Sequence, residues 1–244
     1  MEGEAYGSIV GKKFARNEDG KIIVSAAGLP TYDTELSVLG NGNHDFNIGW
    51  GHQFQWKGLS ASILFDMKLG AEMYCQSEVL ATYHGTSTRT LEGREAWYAS
   101  EEQRNALNEP ILTWKATGGY LVDGVIQDGI DEEGNPIYRQ NDVYIDPETY
   151  WHNVYSKTPE PYIHDASYLK LRELSLSYTF GKKYFKKAPI DSISLSAFGR
   201  NLWLMWCNLP NIDPESSYNS NKLGIEYSSL PSRRNFGFGL KIKF

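Results

Sequence analysis

The sequence contains no long uninterrupted stretch of apolar residues. Of its 244 residues, 41% are hydrophobic, and the mean hydropathy is -0.47. No segment approaches the roughly 18 consecutive apolar residues that a transmembrane helix requires. Strands that cross a membrane need an apolar residue only at every second position, so a low mean hydropathy is compatible with them. The composition therefore excludes a membrane-spanning helix within these residues and leaves membrane-spanning strands open.

The sequence also has few cysteines and no cluster of lysine and arginine long enough to form a nucleic-acid-binding surface. Cys75 and Cys207 are far apart and match no spacing of a metal or redox motif. The 5 histidines lie in neighbourhoods without the spacing of a metalloprotease or of a nucleophile triad. The net charge is -6, and lysine and arginine form no extended stripe. We therefore expect no catalytic residue, no metal site, no cofactor and no nucleic-acid partner.

The first residues lack the pattern of a secretory signal peptide. Met1 is followed by Glu2-Gly-Glu4, without a basic region and without an apolar core. These residues are compatible with two alternatives, a cytoplasmic protein and the downstream part of a longer chain that carries its signal elsewhere.

Alternation of apolar and polar residues is what the sequence does contain, most clearly at residues 234–244. Side chains alternate across a strand, so one face of this segment is apolar and the other is small or cationic. That apolar face would meet a core in a soluble sandwich, or lipid in an outer-membrane barrel with a watery lumen. The apolar residues are Phe236, Phe238, Leu240, Ile242 and Phe244.

Two earlier runs alternate in the same way, at residues 48–56 and 59–67, and the turn signal Lys57-Gly58 joins them. Both approach the roughly 9–11 residues that a tilted strand needs to cross a bilayer. Strands of soluble proteins are usually nearer about 5–6 residues, so the length favours a membrane. The alternation resumes at Ser167 and slips near Arg172, which predicts a β-bulge or a change of environment.

Between residues 74 and 165 the alternation fades. Ser100-Glu-Glu-Gln103 has the form of a capping box, which predicts a short helix from Glu101 to Leu107. The segment is too long for an ordinary connection inside a compact domain. Long loops on one side and tight turns on the other are typical of outer-membrane barrels.

Several motifs resemble, in order, segments of the SusC/RagA-type TonB-linked outer-membrane transporters of Bacteroidetes. Residues 166–180 are similar to the antepenultimate strand of that family, and residues 194–202 to the next strand, with Gly199-Arg-Asn-Leu202 near its end. Asp213-Pro-Glu215 follows in the loop, and residues 231–244 resemble the last strand. Similar segments further upstream are residues 2–7, 39–43 and 90–94.

The resemblance implies an all-β fold in which antiparallel strands form the C-terminal part of a large transmembrane β-barrel, with long extracellular loops and a short loop helix. Family members import glycans or peptides, are driven by TonB, and usually carry a SusD-like surface lipoprotein. Residues 1–244 are then a C-terminal barrel segment with an extracellular loop region at 74–165. The plug, the TonB box and the signal peptide would belong to a missing N-terminal part of a longer chain, and TonB would act through that part. The resemblance also implies outer-membrane localisation, contact with outer-membrane lipid and no enzymatic activity.

Aromatic residues are the candidate functional positions. In the loop region they are expected to contact cargo, since aromatic faces stack on sugars and pack against peptides, although they could simply hold the loop together. Tryptophans on the strands are assigned to membrane interfaces, where aromatic belts form. Residues at the chain end resemble the signal read by the outer-membrane assembly machinery. The ligand candidates are Trp97, Trp114, Tyr120, Tyr150 and Trp151, the interface candidates are Trp50, Trp56, Trp203 and Trp206, and the assembly signal is Leu240, Ile242 and Phe244.

A soluble β-sandwich that binds carbohydrate is the alternative hypothesis. Its alternating faces would meet in a core, and its aromatic residues would form a binding platform. The two hypotheses therefore differ in whether a second layer covers the apolar strand faces. Asp213-Pro-Glu215 is interpreted as a turn in both cases, because Asp-Pro starts turns.

Overall fold

The structure is a computed structural model that describes residues 3–216 and 223–244. The chain forms two compact units. Unit 1 comprises Met1–Gly40 and Tyr74–Ile163, and unit 2 comprises Asn41–Met73 and His164–Phe244. Strands dominate the regular structure, and no helix in the described ranges is long and apolar enough to span a membrane.

Long strands belong to unit 2, and unit 1 combines short strands with helices. The α-helices are α1 (Gln76–Tyr83) and α2 (Arg94–Leu107). The strands are β1 (Ser8–Gly11), β2 (Ile22–Val24), β3 (Ser37–Asn41), β4 (Phe46–Trp56), β5 (Leu59–Leu69), β6 (Glu72–Cys75), β7 (Tyr120–Leu121), β8 (Gly124–Ile130), β9 (Pro136–Gln140), β10 (Tyr144–Ile145), β11 (Ile163–Asp165), β12 (Tyr168–Gly181), β13 (Ser192–Cys207), β14 (Ile225–Glu226) and β15 (Asn235–Lys243).

Unit 2 is built on one five-stranded antiparallel sheet with the strand order β15-β13-β12-β5-β4. Its strands are 9 to 16 residues long, well above the roughly 5–6 residues common in soluble sheets. The predicted antiparallel pairing and the predicted strand length are confirmed for this sheet. Its closure with further strands into a barrel stays a prediction.

A tight hairpin connects β4 to β5. Lys57 and Gly58 both adopt positive φ angles, 45° and 93°. Two positive φ angles are the condition for a two-residue type I′ turn, whose twist matches that of the flanking strands. Trp56 therefore pairs directly with Leu59, and the register continues without a break to Phe46 and Leu69. The turn predicted at Lys57-Gly58 is confirmed.

The predicted slip of phase in β12 is a β-bulge. Against β5, Leu171 and Glu173 pair with the adjacent residues Phe65 and Leu64, so Arg172 is the extra residue. The pairing with β13 is also irregular between Leu171 and Glu173. Leu171 and Leu174 consequently pair with Phe65 and Ile63, which lie on one face of β5. The bulge keeps the leucines before and after it on the same side of the sheet.

Unit 1 has a hydrophobic core of its own. Val24, Val122, Ile126 and Ile145 form this core together with the two aromatic residues Tyr150 and Trp151. The segment 74–163 is therefore more than a bare connection, because it folds with residues 3–40 into helices, small sheets and a core. The pairing of β2 with β8 departs from the antiparallel expectation, since these two strands run parallel.

The helix predicted at Glu101 begins earlier than expected. Helix α2 starts at Arg94, and its N-cap position is Gly93, without a side-chain cap. Ser100 lies inside the helix and is 1% exposed. Its hydroxyl accepts hydrogen bonds from Trp114 Nε1 (3.2 Å) and from the Thr117 backbone N–H (3.0 Å). The predicted start and capping role of Ser100 were wrong, because the helix begins at Arg94 and the Ser100 hydroxyl binds Trp114 and Thr117 instead; the predicted end at Leu107 is confirmed.

Candidate functional site

The five-stranded sheet has one face that is apolar on every strand. Residues in register on neighbouring antiparallel strands share a face, so one row of side chains can be followed across the whole sheet. The central row consists of Phe54, Ala61, Leu176, Ala197 and Phe238.

This apolar face is exposed. Phe238 is 88% exposed, Leu240 65% and Trp50 58%. A β-sandwich requires a second layer to bury these positions, and no second sheet covers them among residues 3–216 and 223–244. The sandwich alternative is therefore contradicted for this sheet. Apolar patches of this kind mark surfaces that meet a membrane or another apolar partner.

His52 is the exception on the apolar face of β4. It pairs in register with Ile63, and its ring stacks on Trp50 with centroids 6.3 Å apart. Stacking on the indole gives the imidazole an apolar contact on one side. One histidine among the rows leaves the face predominantly hydrocarbon.

The four tryptophans that are predicted to lie at membrane interfaces occupy three rows of this face. Trp206 shares a row with Ile48, near one end of the sheet, and Trp56 lies at the opposite end of β4. The row of Ile48 and the row of Trp56 are eight residues apart on β4, which corresponds to about 27 Å along the strand. If the strand were tilted as in a usual membrane barrel, this would be roughly 20 Å along the bilayer normal. Trp50 and Trp203 share a row closer to the centre. The spacing is comparable to the roughly 25 Å apolar band between aromatic girdles.

The chain end lies on the edge strand of the same sheet. Leu240 and Ile242 pair with Leu195 and Ile193 and point to the apolar face. Phe244 follows the last residue of β15 and is 77% exposed. Recognition of these three residues by an assembly machinery stays a prediction.

The opposite face of the sheet is mainly polar and hydrogen-bonded across strands, with Leu64, Phe198 and Leu204 as apolar exceptions. The hydroxyls of Ser62 and Ser175 lie 2.6 Å apart. Arg200 donates to Glu173 at 2.9 Å. Small hydroxyl side chains and paired charges suit a face that meets water, whereas the other face of the same sheet is apolar and exposed.

A cluster of charged residues joins this polar face to the loop that follows β13. Lys170 is 3% exposed, and its Nζ donates to Glu215 at 2.6 Å and to Asp213 at 3.4 Å. Arg172, the bulge residue, donates to Glu215 and to Asp66. The bulge thus directs a guanidinium into the gap between two carboxylates. Buried charges are tolerated only when paired in this way.

The electrostatics of the cluster favour ionised carboxylates. Burial opposes ionisation of Glu215, but hydrogen bonds from Arg172 and Lys170 outweigh it and lower the pKa of Glu215 to about 2. Burial also opposes ionisation of Asp213, and hydrogen bonds from Ser232 and from the Glu215 backbone outweigh it, so its pKa is lowered too. Both groups are therefore anions that attach the loop to the sheet.

The turn predicted at Asp213-Pro-Glu215 is present, with the Ser216 N–H donating to the Asp213 carbonyl at 3.0 Å. Sequence reasoning missed the partners of the two carboxylates. A signal existed: Lys170 and Arg172 interrupt an otherwise hydroxyl-rich polar face, and the acidic turn carries two carboxylates that need cationic partners. Their distance in sequence from Asp213 and Glu215 hid the pairing.

The five loop aromatics all belong to unit 1, in differing surroundings. Tyr150 and Trp151 lie in the π-helix Thr149–Val154 and are 3% and 6% exposed. Tyr120 is half-buried and stacks on Tyr150 with centroids 4.3 Å apart. Burial raises the pKa of Tyr150 far above its ordinary value. Tyr120, Tyr150 and Trp151 therefore form one aromatic cluster in or beside the core, and contact of Tyr150 with a ligand would require rearrangement.

Trp97 and Trp114 are both half-buried, and the structure separates them. Trp97 lies on α2 and lines a cavity of about 460 Å³ that Trp151 also lines. Trp114 is absent from that lining and binds Ser100 instead. Of the five candidates, the cavity thus brings together Trp97 and Trp151.

Two curated proteins with sequence similarity to the chain are TonB-dependent receptors of Formosa agariphila. TonB-dependent receptor P3 is 20% identical over 217 residues, which cover 86% of this chain and 17% of the receptor. TonB-dependent receptor P39 is 23% identical over 259 residues, which cover 100% of this chain and 21% of the receptor. The chain thus spans about a fifth of the length of these relatives. No family model matches the sequence.

Solved structures share the fold. The RagAB peptide transporter superposes with a TM-score of 0.53 at 16% identity, over 97% of this chain and 23% of that chain. The RagAB peptide importer in the open-open state gives 0.53 at 15% identity, over 97% and 22%. These findings confirm the resemblance to the SusC/RagA-type TonB-linked transporters that the motifs predicted.

Proposed function

We propose that the chain supplies part of the wall of an outer-membrane β-barrel transporter. The observation that carries this proposal is the exposed apolar face on all five strands of one sheet, opposite a polar, hydrogen-bonded face. The apolar face would contact lipid and the polar face would line the lumen. Unit 1 contains the predicted extracellular loop region 74–165, except its last two residues, and would contact cargo.

We propose further that the whole protein imports oligosaccharides or peptides in a TonB-dependent way, with a surface lipoprotein as partner. The names of the relatives and of the RagAB structures support transport of this class. Such transport requires a lumen that water and cargo can enter, and the polar face would line it. Cells that produce the full-length protein should take up a labelled oligosaccharide or peptide only when TonB is functional. Equal uptake without TonB would contradict energy coupling.

Lipid contact is tested by tryptophan fluorescence in liposomes made with lipids brominated in the acyl chain. The lipid-facing candidates are Trp50, Trp56, Trp203 and Trp206. Bromine quenches indoles that lie within the hydrocarbon, so the chain should lose much of its emission.

A variant with all four of these residues changed to Phe should retain emission from Trp97, Trp114 and Trp151 and lose the quenching. This variant is the matched control, since phenylalanine preserves an apolar aromatic face. Unquenched emission of the unaltered chain, or a monomer that stays in solution without detergent, would contradict the proposal.

A further inference from the structure

Both short connections of the five-stranded sheet lie at the same end of it, which is the turn end. The hairpin turn Lys57-Gly58 joins β4 to β5, and residues 182–191 join β12 to β13. The Thr179 N–H donates to the Gly58 carbonyl at 2.8 Å, so the turn of the first hairpin contacts the end of β12. In membrane barrels the short turns face the periplasm, and the longer loops lie on the other side of the bilayer.

The turn end carries an excess of positive charge. Residues 55–60 and 179–194 contain several lysines, and their one acidic residue is Asp191. Lys182 forms an ion pair with Asp191 at 3.0 Å. The other lysines of these segments are exposed and make no hydrogen bond or ion pair with the described part of the chain. They form the lysine rim, which consists of Lys57, Lys183, Lys186 and Lys187.

Cations that hold the fold of unit 2 together have carboxylate partners. Lys170 and Arg172 both bind Glu215, and Arg200 binds Glu173 at 2.9 Å. The rim lysines have no such partner among residues 3–216 and 223–244. Their positive charge is therefore available to a partner outside the described chain.

Two rim lysines lie over aromatic rings that continue the apolar face of the sheet. Lys57 Nζ is 5.1 Å from the ring centroid of Trp56, which is exposed on that face. Lys183 Nζ is 4.9 Å from the ring centroid of Tyr184. Tyr184 packs edge to face on Phe180 with centroids 5.8 Å apart, and alternation along β12 places Phe180 on the apolar face. Both ammonium groups therefore lie at the boundary of the apolar face.

The order of apolar strand, aromatic ring and ammonium group matches the layers of a membrane surface. Tyrosine and tryptophan rings lie at the level of the lipid headgroups. Lysine extends its apolar stem along such a surface and keeps its ammonium group in water, where it can bind a phosphate as a point charge. Clustered lysines at this level attract anionic lipids in particular, because those headgroups carry a net negative charge.

An acidic protein that docked from water fits these observations less well. Such a partner would need the positive charge alone. The rings of Trp56 and Tyr184, which connect two of the lysines to the apolar face, would have no part in its binding. The continuity of the lysine rim with the apolar face therefore favours a partner that is itself apolar at one end and anionic at the other.

We propose that the lysine rim is a binding site for the headgroups of anionic phospholipids. The inference rests on the proposed membrane wall, because a bilayer around the apolar face puts the rim at headgroup level. Lys57 and Lys183 bind lipid phosphate beside Trp56 and Tyr184, and their neighbours in the turn add positive charge.

Quenching of Trp56 by brominated lipids tests the inference, because Lys57 lies over this indole. In the test chain Trp50, Trp203 and Trp206 are changed to Phe. The liposomes consist of phosphatidylethanolamine with a minor fraction of phosphatidylglycerol, and either lipid carries bromine in its acyl chains. Phosphatidylglycerol should be preferred beside Trp56 by about fivefold, which corresponds to one engaged lysine.

The decisive variant changes all four lysines of the rim to Gln in the test chain. The preference for phosphatidylglycerol should fall to about one, because no unpaired cation of the rim remains. The matched control removes the same charge at exposed lysines of unit 1, and it should keep the preference. The lysines changed to Gln in this control are Lys12, Lys21, Lys115 and Lys157.

A second control keeps Trp206 and changes Trp50, Trp56 and Trp203 to Phe. Trp206 lies near the opposite end of the sheet, so it should report no comparable preference. Absence of a preference beside Trp56 overturns the inference. An equal preference beside Trp206, survival of the preference in the rim variant, or its equal loss in the unit 1 control overturns it as well.

Liposomes in which both lipids are brominated separate this inference from the wall function. They report contact of Trp56 with lipid whatever the headgroup. Quenching in these liposomes without a preference for phosphatidylglycerol overturns the headgroup site and leaves the wall intact. Absence of quenching in every mixture contradicts the wall and the headgroup site together.

Discussion

Aromatic residues occupy opposite places in the two units. In unit 1, Tyr150 and Trp151 are 3% and 6% exposed and pack in a core with aliphatic residues. In unit 2, Trp56 and Phe238 are 59% and 88% exposed on the outside of a sheet. Aromatic residues thus stabilise one unit from within and form an exposed apolar face on the other.

The two units also differ in the kind of side chain that they bury. The core cluster of unit 1 is made of aliphatic and aromatic side chains, whereas unit 2 additionally buries the cationic side chain of Lys170 between carboxylates. A protein in water hides its apolar groups from solvent, and a protein wall in lipid can reverse that order. The comparison teaches that unit 1 encloses an apolar core, whereas the sheet of unit 2 leaves an apolar face exposed, as the proposed membrane wall requires.

The largest effect is expected from removing a core aromatic. Trp151→Ala should destabilise unit 1 by about 3–5 kcal/mol, because it removes a large buried side chain and leaves a cavity. Hydrogen exchange measured by mass spectrometry over residues 74–163 would report the loss. Trp56→Ala, the same change in unit 2, should leave exchange in unit 1 untouched. If both variants raised hydrogen exchange in residues 74–163 equally, the conclusion that aromatic residues stabilise only unit 1 from within would be wrong.

Breaking the buried ion cluster should cost nearly as much. Lys170→Ala leaves Asp213 and Glu215 with one cation fewer, and loss of one partner from a buried pair costs about 3–5 kcal/mol. Urea unfolding of the chain in liposomes measures the change. Lys182→Ala is the control, because the Lys182–Asp191 pair is exposed and should contribute nothing measurable. A similar outcome for both lysines would show that the cluster does not hold the loop.

Charge placed on the two faces of β12 should have opposite consequences. Leu176→Arg puts a cation near the middle of the apolar face and should lower the free energy of unfolding in liposomes by about 2–4 kcal/mol. Ser177→Arg places the same cation one residue away on the polar face and should cost little. If Ser177→Arg lowered the free energy of unfolding more than Leu176→Arg, the assignment of the apolar face to lipid and of the polar face to water would be wrong.

Acid should destabilise the loop that follows β13 in unit 2, with a smaller loss of unfolding free energy than the substitutions above. The pKa of Glu215 is lowered from 4.5 to about 2, so its stabilisation is complete above pH 4.5 and is lost as the pH falls toward 2. Between neutral pH and pH 3 the loss should be roughly 2 kcal/mol. Urea titrations at several pH values would measure it. Glu215→Gln should flatten this pH dependence, and a variant that kept the full dependence would refute the role of Glu215.

Local pattern accounts for much of unit 2. Alternation predicted the strands and their faces, the Lys57-Gly58 pair predicted the hairpin, and the slip near Arg172 predicted the bulge. These features depend on residues close in sequence, since a strand alternates its side chains by covalent geometry alone. The structure of unit 1 is harder to predict from local pattern. Its short strands and helices at 74–163 pack against residues 3–40, which are far away in the chain.

Sequence by itself determined which residues share a strand face and where the chain must turn, because both follow from backbone geometry within a few residues. Tertiary structure alone decided that Ser100 lies inside a helix, that Tyr150 and Trp151 are buried, and that Lys170 meets Glu215. Each of these depends on contacts between residues well separated along the chain. Whether an aromatic or a charged side chain is buried is set by the neighbours that the fold brings to it, and no local pattern specifies those neighbours.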